Sequence, residues 1–249
     1  MHSLYANVRN EALKIALKKK NWFFLLMTFA IPIGAGVLLA NLQSGFGLGV
    51  MTSGEYPIAV LGLLTGIFLP LFVFMGAADQ FSGEQGDRTM KNVLTRPISR
   101  FKVFVSKQAA LGVSIAAHLF AALVGSSIAA MFLSGSFRLG DTLDWLIAYG
   151  AAFLPLMALS IAAVFLAQFF ASGIGALAVS VLLYVALRAG AFFFPQLHSY
   201  SPTAYLNWHA LWLGNPLPAG QLWSVFMFLA ACCILLFTAG FYFFDKKEL

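Results

Sequence analysis

The chain has 249 residues, of which 61% are hydrophobic and only 10% are charged, and its formal net charge is +6. Soluble domains carry roughly 25% charged residues, so this composition could not cover a water-facing surface. The apolar residues form blocks of roughly 20, the length that a helix needs to cross a hydrocarbon layer about 30 Å thick. A soluble enzyme is therefore excluded, and we attribute the positive charge to loops beside a membrane rather than to nucleic-acid binding.

Residues 1–20 form a basic segment before the first apolar block. Four of its apolar residues fall on one helical face: Leu4, Val8, Ala12 and Ile15. This pattern predicts an interfacial helix on the inner leaflet, with Glu11 intruding on its apolar side. A solvated basic tail is the alternative. We expect no cleaved leader, because the apolar run that follows is long enough to be retained as the first span.

Six apolar blocks are predicted to form transmembrane helices. Their expected positions are residues 22–40, 57–78, 109–133, 145–169, 173–194 and 222–244. We expect the third helix to begin earlier than its apolar part, near Phe101. The fold prediction is all-α: a polytopic membrane bundle of six helices that forms one domain, 1–249.

The basic residues predict which side of the membrane each connection faces. Five lie in residues 1–20, six in the connection between spans two and three, and two at the C-terminus, so these account for 13 of the 15 Lys and Arg. The connections between spans one and two and between spans five and six contain none. Because basic connections face the cytoplasm, both termini are predicted to lie there, with the chain in the plasma (inner) membrane.

The connection 195–221 is long, aromatic and free of Lys, Arg, Asp and Glu. Its aromatic residues include Tyr200, Tyr205, Trp208 and Trp212. Trp and Tyr favour the membrane interface, and aromatic residues oppose disorder. We therefore predict an external hairpin of short helices that re-enters the outer membrane interface between spans five and six.

The connection 79–107 is predicted to contain a short helix beneath the membrane. Ser82 has a glutamine three residues later, which is capping-box spacing and marks a helix start. Pro97 would end this helix, because the residue before a proline is disfavoured in the helical region. Thr95 or Ser99 would then cap the helix that leads into the third span.

This short helix carries an apolar stripe formed by Met90, Val93 and Leu94. A helix of this kind can dock into a groove on a cytoplasmic partner. It can equally pack on the intracellular ends of its own chain or lie on lipid headgroups. The residues alone leave these alternatives open.

The same connection resembles the loop after the second span in permeases of the type-two, exporter-like ABC transporter family. That loop reads glutamate, then arginine-glycine-threonine, a leucine-rich helix, and proline-x-serine-arginine. This chain has the corresponding residues in order: Glu84, Asp87-Arg88-Thr89, Leu94 and Pro97-Ile98-Ser99-Arg100. Asp87 and Arg88 depart from the pattern, since they stand where the family often has arginine and glycine. The layout of interfacial helix, six spans and external hairpin is similar over the whole chain.

The resemblance implies a coupling helix that sits in a cleft of a separate nucleotide-binding ATPase subunit. Carried over by position, five residues would meet that ATPase: Glu84, Asp87, Met90, Val93 and Leu94. ATP and Mg would bind to the partner, because this chain contains no G-x-x-x-x-G-K-[ST] sequence and we expect no cofactor of its own.

The resemblance further implies that the chain pairs with a second permease, identical or homologous, around a central pathway. ATP-driven motion of the coupling helix would then export an amphipathic or lipid-like cargo, such as a peptide antibiotic, a drug or a glycolipid. The chain itself would not be an enzyme.

Two other classes of function compete with this one. An ion-coupled secondary transporter or channel usually places acidic groups at mid-membrane, whereas no Asp or Glu lies deep in a predicted span, although broken helices could offer backbone ligands instead. An intramembrane enzyme needs a nucleophile beside a base. His118 is the only histidine in a predicted span, and no nucleophile motif flanks the serines there.

Arg188 is the one basic residue inside a predicted span, and an intramembrane charge suggests function by default. It lies near the outer end of span five, where it could snorkel to headgroups as an anchor, or it could contact cargo or lipid. Glu55, at the outer mouth of span two, is a candidate partner. Gly62 and Gly66 have the small-xxx-small spacing that permits close helix contact, within the subunit or across a dimer.

Overall fold

The computed structural model describes residues 2–46, 51–87, 98–133, 139–194, 196, 199–213 and 217–247. These ranges are helical, contain no strand, and include six helices long and apolar enough to cross a membrane. The predicted all-α bundle of six spans is therefore confirmed. One end of the bundle carries the N-terminal helix, the end of the second span, the start of the third span and the end of the sixth, and we call it the basic end.

Most of the basic N-terminal segment is helical, as predicted. Helix α1, His2–Leu17, ends at a bend at Lys18, and α2, Lys19–Phe46, carries the first span. Both helices pack against the third span. Ile15 is buried while Leu17 on the other side is 79% exposed, so α1 presents one face to the bundle.

The second span, α3, is one continuous helix over Tyr56–Gly86 with two π-helical segments, Leu64–Phe68 and Asp79–Gly83. Pro70 has no N–H, so the Gly66 carbonyl four residues earlier loses its helical donor. The Tyr184 hydroxyl on the fifth span donates to that carbonyl at 2.5 Å. The first π segment therefore lies where a proline interrupts the helical hydrogen bonds.

Ser82 is not the start of a new helix, so that prediction is wrong. It lies inside α3, in the second π segment, and its hydroxyl donates to the Ala167 carbonyl at 2.7 Å across the bundle. The capping-box spacing is a local signal, and the continuing helix uses the hydroxyl for a tertiary contact instead. Ser99, in contrast, does cap the next helix, since its hydroxyl accepts from the Lys102 N–H at 3.4 Å.

The third span, α4, covers Arg100–Ala130, and the fourth, α5, covers Leu139–Ala167. Together with α3 they enclose the largest group of buried apolar side chains, which includes Phe72, Phe104, Leu111 and Leu156. At the end opposite the basic end, Tyr149 of α5 donates to the Pro57 carbonyl at 3.1 Å and lies 2.8 Å from the Ser126 hydroxyl. These bonds hold α3, α4 and α5 in register.

The fifth span, α6, covers Gly173–Phe193, and the sixth, α7, covers Ala219–Lys246. Two short 3-10 helices lie between them, Pro202–Tyr205 and Trp208–Trp212, so the prediction of short helices in this connection is confirmed. They pack on α5 and α7, and Trp208 joins a buried cluster there. The aromatic side chains thus contribute to the bundle itself.

We expect Gly125→Ala to destabilise the protein. A Cβ at Gly125 would lie 2.4 Å from the Phe29 carbonyl oxygen, so α2 and α4 would have to separate. Overpacking of this kind costs about 1–3 kcal/mol. The measurement is thermal unfolding in detergent, with Gly150→Ala on α5 as the control, because nothing lies within 4 Å of a Cβ added there. Equal unfolding temperatures for the two variants would contradict the close contact.

Candidate functional site

Residues 79–87, the end of α3 and the residue after it, lie where five other parts of the chain meet, and we call them the junction segment. On one side they contact α1, the start of α2 and α4, and on the other the turn between α5 and α6 and the end of α7. The next ten residues, 88–97, lie outside the described residues. The junction segment is therefore the last described part of the chain before the predicted coupling helix.

A buried ion cluster joins the junction segment to α1 and α4. The side chain of Lys107 on α4 is fully buried, and its Nζ lies 2.9 Å from Glu11 Oε2 and 2.6 Å from Glu84 Oε2. Lys14 lies 2.7 Å from Glu11 Oε1 and 3.4 Å from Glu84 Oε1. Two cations thus alternate with two anions, which offsets the several kcal/mol that each buried charge would otherwise cost.

The charges in this cluster reinforce one another. Burial by itself would raise the pKa of Glu11, but the ammonium groups of Lys107 and Lys14 outweigh it and hold the pKa below its ordinary value. Burial would likewise lower the pKa of Lys14, but the carboxylates of Glu11 and Glu84 outweigh it and raise the pKa. Both groups therefore stay charged in the folded protein at neutral pH.

A second, more exposed link joins the junction segment to the start of α2. Asp79 accepts from Lys18 at 3.5 Å and also pairs with Lys20. Both lysine side chains are 40% or more exposed, so these pairs contribute at most about 1 kcal/mol each. These pairs orient the bend between α1 and α2 but contribute little to the free energy of unfolding.

Close backbone contacts hold the other side of the junction segment. A Cβ at Gly86 would lie 2.7 Å from the Ala171 carbonyl oxygen, and one at Gly173 would lie 3.5 Å from the Cα of Gly83. With the hydrogen bond from Ser82 to Ala167, these contacts fix the turn between α5 and α6 against α3. Glycine is required because any side chain at Gly86 would push the turn away.

The C-terminal end of α7 is tied to the same place. Lys247 donates to Gln85 Oε1 at 2.5 Å and to the Gln168 carbonyl at 2.6 Å. Arg100, the first residue of α4, donates to the Lys247 carbonyl at 3.2 Å and to the Asp245 carbonyl. The end of the last span is thereby fastened to both the second and the third.

The structure describes two of the five predicted ATPase-docking residues. Glu84 faces the ion cluster, and Asp87 is exposed just beyond the end of α3. Met90, Val93 and Leu94 fall in residues 88–97, outside the described residues, as does Thr95. Sequence reasoning missed the partners of Glu84 within its own chain. The sequence did offer one indication: Glu11 lies on the apolar side of α1, and a carboxylate that is buried with that side needs a cation beside it.

The suggested pair of Arg188 and Glu55 is not formed in the described chain. Glu55 accepts from the Thr52 N–H at 3.2 Å, at the start of α3. Arg188 lies beside Gly66 of α3, which is ten residues after the first residue of that helix. Arg188 donates to the Tyr184 hydroxyl at 3.3 Å. The two charges sit at different depths because α3 rises by about 1.5 Å per residue.

His118 forms no hydrogen bond with a serine hydroxyl among the described residues. Its ring stacks on Phe72 with 3.7 Å between ring centres, and Nδ1 lies 2.8 Å from the Ser114 carbonyl oxygen. Its Nε2 has no hydrogen-bond partner among the described residues. Those residues also contain no group of three His, Cys, Asp or Glu side chains that could hold a metal ion.

We expect Lys107→Met to lower the free energy of unfolding by about 3–5 kcal/mol, the usual cost of breaking a buried pair and leaving the remaining charges uncompensated. The measurement is unfolding in detergent at neutral pH. Lys102→Met is the matched control on the same helix, because Lys102 is exposed. If both variants unfold alike, the cluster does not hold α1 and α3 to α4.

The stability that Glu11 contributes should depend on pH. Its folded pKa is lowered, so the contribution is present above its ordinary value of 4.5 and lost as the pH falls through the lowered pKa. The difference in unfolding temperature between the wild-type protein and Glu11→Gln should therefore be constant from pH 7 to pH 5 and shrink below pH 4.5. A difference that grows on acidification would contradict the lowered pKa.

A comparison with known protein families identifies the chain. A family model described as ABC-2 family transporter protein matches residues 7–187. The match begins in α1, includes the junction segment and the ion cluster, and ends near the end of α6, so it covers well over half of the chain. No curated protein matches the chain. On this match, the chain belongs to the ABC-2 family transporter proteins, the multi-pass membrane subunits of ABC transporters.

Proposed function

We propose that this chain is the permease subunit of an ATP-driven exporter and that its junction segment transmits motion from a separate ATPase. The observation that supports this is the convergence on residues 79–87 of α1, α4, the turn between α5 and α6, and the end of α7. The segment leads directly into residues 88–97, where the family resemblance expects the coupling helix. A displacement of the coupling helix would be transmitted through the junction segment to each of these elements.

The contacts of the junction segment differ in stiffness, and this suggests how motion is distributed. The Lys107 cluster is buried and strongly charged, so α1 and α4 should move together with the end of α3. The Asp79 pairs are exposed and weak. The π-helical turn over Asp79–Gly83 supplies a place where the helix can change its winding, and such turns are frequent at functional sites.

The docking residues follow from the same placement. We assign Asp87, Met90, Val93 and Leu94 to the contact with the ATPase, as the resemblance implies. Glu84 is assigned to the base of the coupling segment, because its carboxylate already binds Lys107 and Lys14. ATP and Mg would bind only to the partner subunit, and a second permease would complete the pathway.

The basic end is proposed to face the cytoplasm of the plasma (inner) membrane. Its basic residues favour that side by the positive-inside rule, which puts both termini there. The described parts of the spans offer an apolar interior, which suits an amphipathic or lipid-like cargo. The assignment of an exporter, rather than an ion-driven carrier, rests on the family and on the junction segment.

The docking step is tested by co-purification of the chain with the proposed ATPase subunit, which would be recognised by its G-x-x-x-x-G-K-[ST] sequence. We expect Leu94→Asp to abolish retention of the ATPase, because a charge would enter the apolar contact. Leu17→Asp is the control, since Leu17 is 79% exposed on α1 and lies outside the docking stripe. Full retention and activity with Leu94→Asp would refute the proposal.

The transmission step has its own test. Lys107→Met should still retain the ATPase, while cargo-stimulated ATP hydrolysis falls by about tenfold, a coupling loss in the usual range of 1–3 kcal/mol. Lys107→Arg, which keeps the charge, should preserve part of the stimulation. Comparison of the two variants shows whether the loss in Lys107→Met is only a failure to fold. Normal stimulation in Lys107→Met would show that the cluster does not transmit motion.

A further inference from the structure

Arg188 is a cation within α6 that has no acidic partner among the described residues. The carboxylates that form ion pairs there are Glu11, Asp79 and Glu84, and all three lie at the basic end. Arg188 instead donates through Nε to the Tyr184 hydroxyl, and its guanidinium carbon lies 5.8 Å from the centre of the Tyr184 ring. A charge inside a hydrocarbon layer is expensive, so its balance must come from elsewhere.

The guanidinium points toward the middle of the bundle. Helical side chains lean toward the N-terminus of their helix, and α6 begins at the basic end, so Arg188 leans away from the nearer end of the helix. Tyr184, to which it bonds, lies one turn closer to the basic end. An arginine that serves as a snorkelling anchor would extend the other way, toward headgroups.

The depth of the guanidinium supports this reading. One terminal nitrogen of Arg188 lies 3.3 Å from the position that a Cβ on Gly66 would take. Gly66 is ten residues into α3, about 15 Å from its start, which is about half of a 30 Å hydrocarbon layer. Asp79, at the basic end, is thirteen residues beyond Gly66, about 20 Å along the helix, so the positive charge is held near the middle of the membrane-spanning part of α3.

A relay of hydrogen bonds holds the guanidinium in place. Pro70 leaves the Gly66 carbonyl without its helical donor, and the Tyr184 hydroxyl donates to that carbonyl at 2.5 Å. The oxygen of this hydroxyl then accepts from Arg188 Nε at 3.3 Å. The terminal nitrogens of Arg188 have no hydrogen-bond partner among the described residues, which leaves the planar fork that binds carboxylate or phosphate free.

Arg188 lines a cavity of about 720 Å³ that lies between α3 and α6. Apart from Arg188, Tyr184 and two glycines, the lining is aliphatic: Leu63, Ile67, Leu71, Val181, Val185 and Ala189. Leu63, Ile67 and Val185 are each more than half exposed, so this groove is open on its apolar side. Its volume lies in the range of about 300–1,000 Å³ that is usual for small-molecule sites.

We propose that this groove binds an amphipathic cargo with an anionic headgroup, a carboxylate or a phosphate. The anion would sit on the Arg188 fork, and the apolar tail would lie along Leu63, Ile67 and Val185. A resident phospholipid keeps its headgroup at the membrane surface, whereas this cation is held near the midplane, where a molecule in transit passes. The inference rests on the proposed function and names the chemical class of its cargo.

The test measures binding to the full chain in nanodiscs of zwitterionic phosphatidylcholine, without an ATPase. The probes share one tail: dodecyl phosphate, dodecyl maltoside and dodecyltrimethylammonium. We expect the wild-type protein to bind dodecyl phosphate at least tenfold more tightly than the other two. Arg188→Gln should remove this preference, Arg188→Lys should keep part of it, and Tyr184→Phe should weaken it several-fold, since the guanidinium loses its anchor.

Arg100→Gln, at the basic end, is the control and should leave the preference unchanged. Thermal unfolding of each variant shows whether it is folded, and Arg188→Lys retains the charge if Arg188→Gln does not fold. The proposal is overturned if the wild-type protein shows no preference for the phosphate or if the preference survives Arg188→Gln.

Two further results identify other occupants and would also overturn the proposal. Displacement of dodecyl phosphate by a few per cent of phosphatidylglycerol in the disc would mean that an ordinary phospholipid fills the groove. Loss of binding when the chain dimerises, with cross-links from Arg188 to a second copy, would mean that a subunit covers it. ATPase docking is scored separately with Leu94→Asp, so its failure refutes the proposed function without changing the binding result.

Discussion

The ammonium group of Lys107 is the constraint on which the basic end of the bundle depends. It is fully buried, and among the described residues the carboxylates of Glu11 and Glu84 are its acidic partners. Those two carboxylates belong to α1 and to the end of α3, so satisfying one charge on α4 fixes the positions of two other helices. Since an unpaired charge in this place would cost several kcal/mol, the three helices cannot separate independently. The convergence of α1 and α4 on the junction segment follows from this requirement.

The second span carries both of the sites that this structure suggests. Its first π segment, Leu64–Phe68, is where Pro70 frees a carbonyl that Tyr184 and then Arg188 use. Its second, Asp79–Gly83, opens the junction segment. One continuous helix therefore connects the groove that holds Arg188 with the charged end of the bundle. A change in helical winding at either π segment would shift the rest of α3.

The positions of the helices were predictable because spanning a hydrocarbon layer demands long apolar runs, and such runs are visible without tertiary information. Ser99 was recognised as a cap for a similar reason, since its bond to Lys102 is local. Ser82 showed an equally good local signal and is not a cap, because its hydroxyl reaches Ala167, 85 residues away. The role of Glu11 was hidden in the same way: only the packing of α1 on α4 shows which cation it meets.

The sequence by itself determined that the chain is a membrane-spanning helical bundle, and the motif around Glu84 indicated its family, because hydrophobic length and local spacing are properties of contiguous residues. Tertiary structure alone decided that Glu84 binds Lys107, that Arg188 turns toward Tyr184 and Gly66, and that Glu55 is not its partner. Each of these depends on the relative depth and rotation of different helices. Those quantities are set by packing at glycines, prolines and buried charges across the bundle, which no single segment encodes.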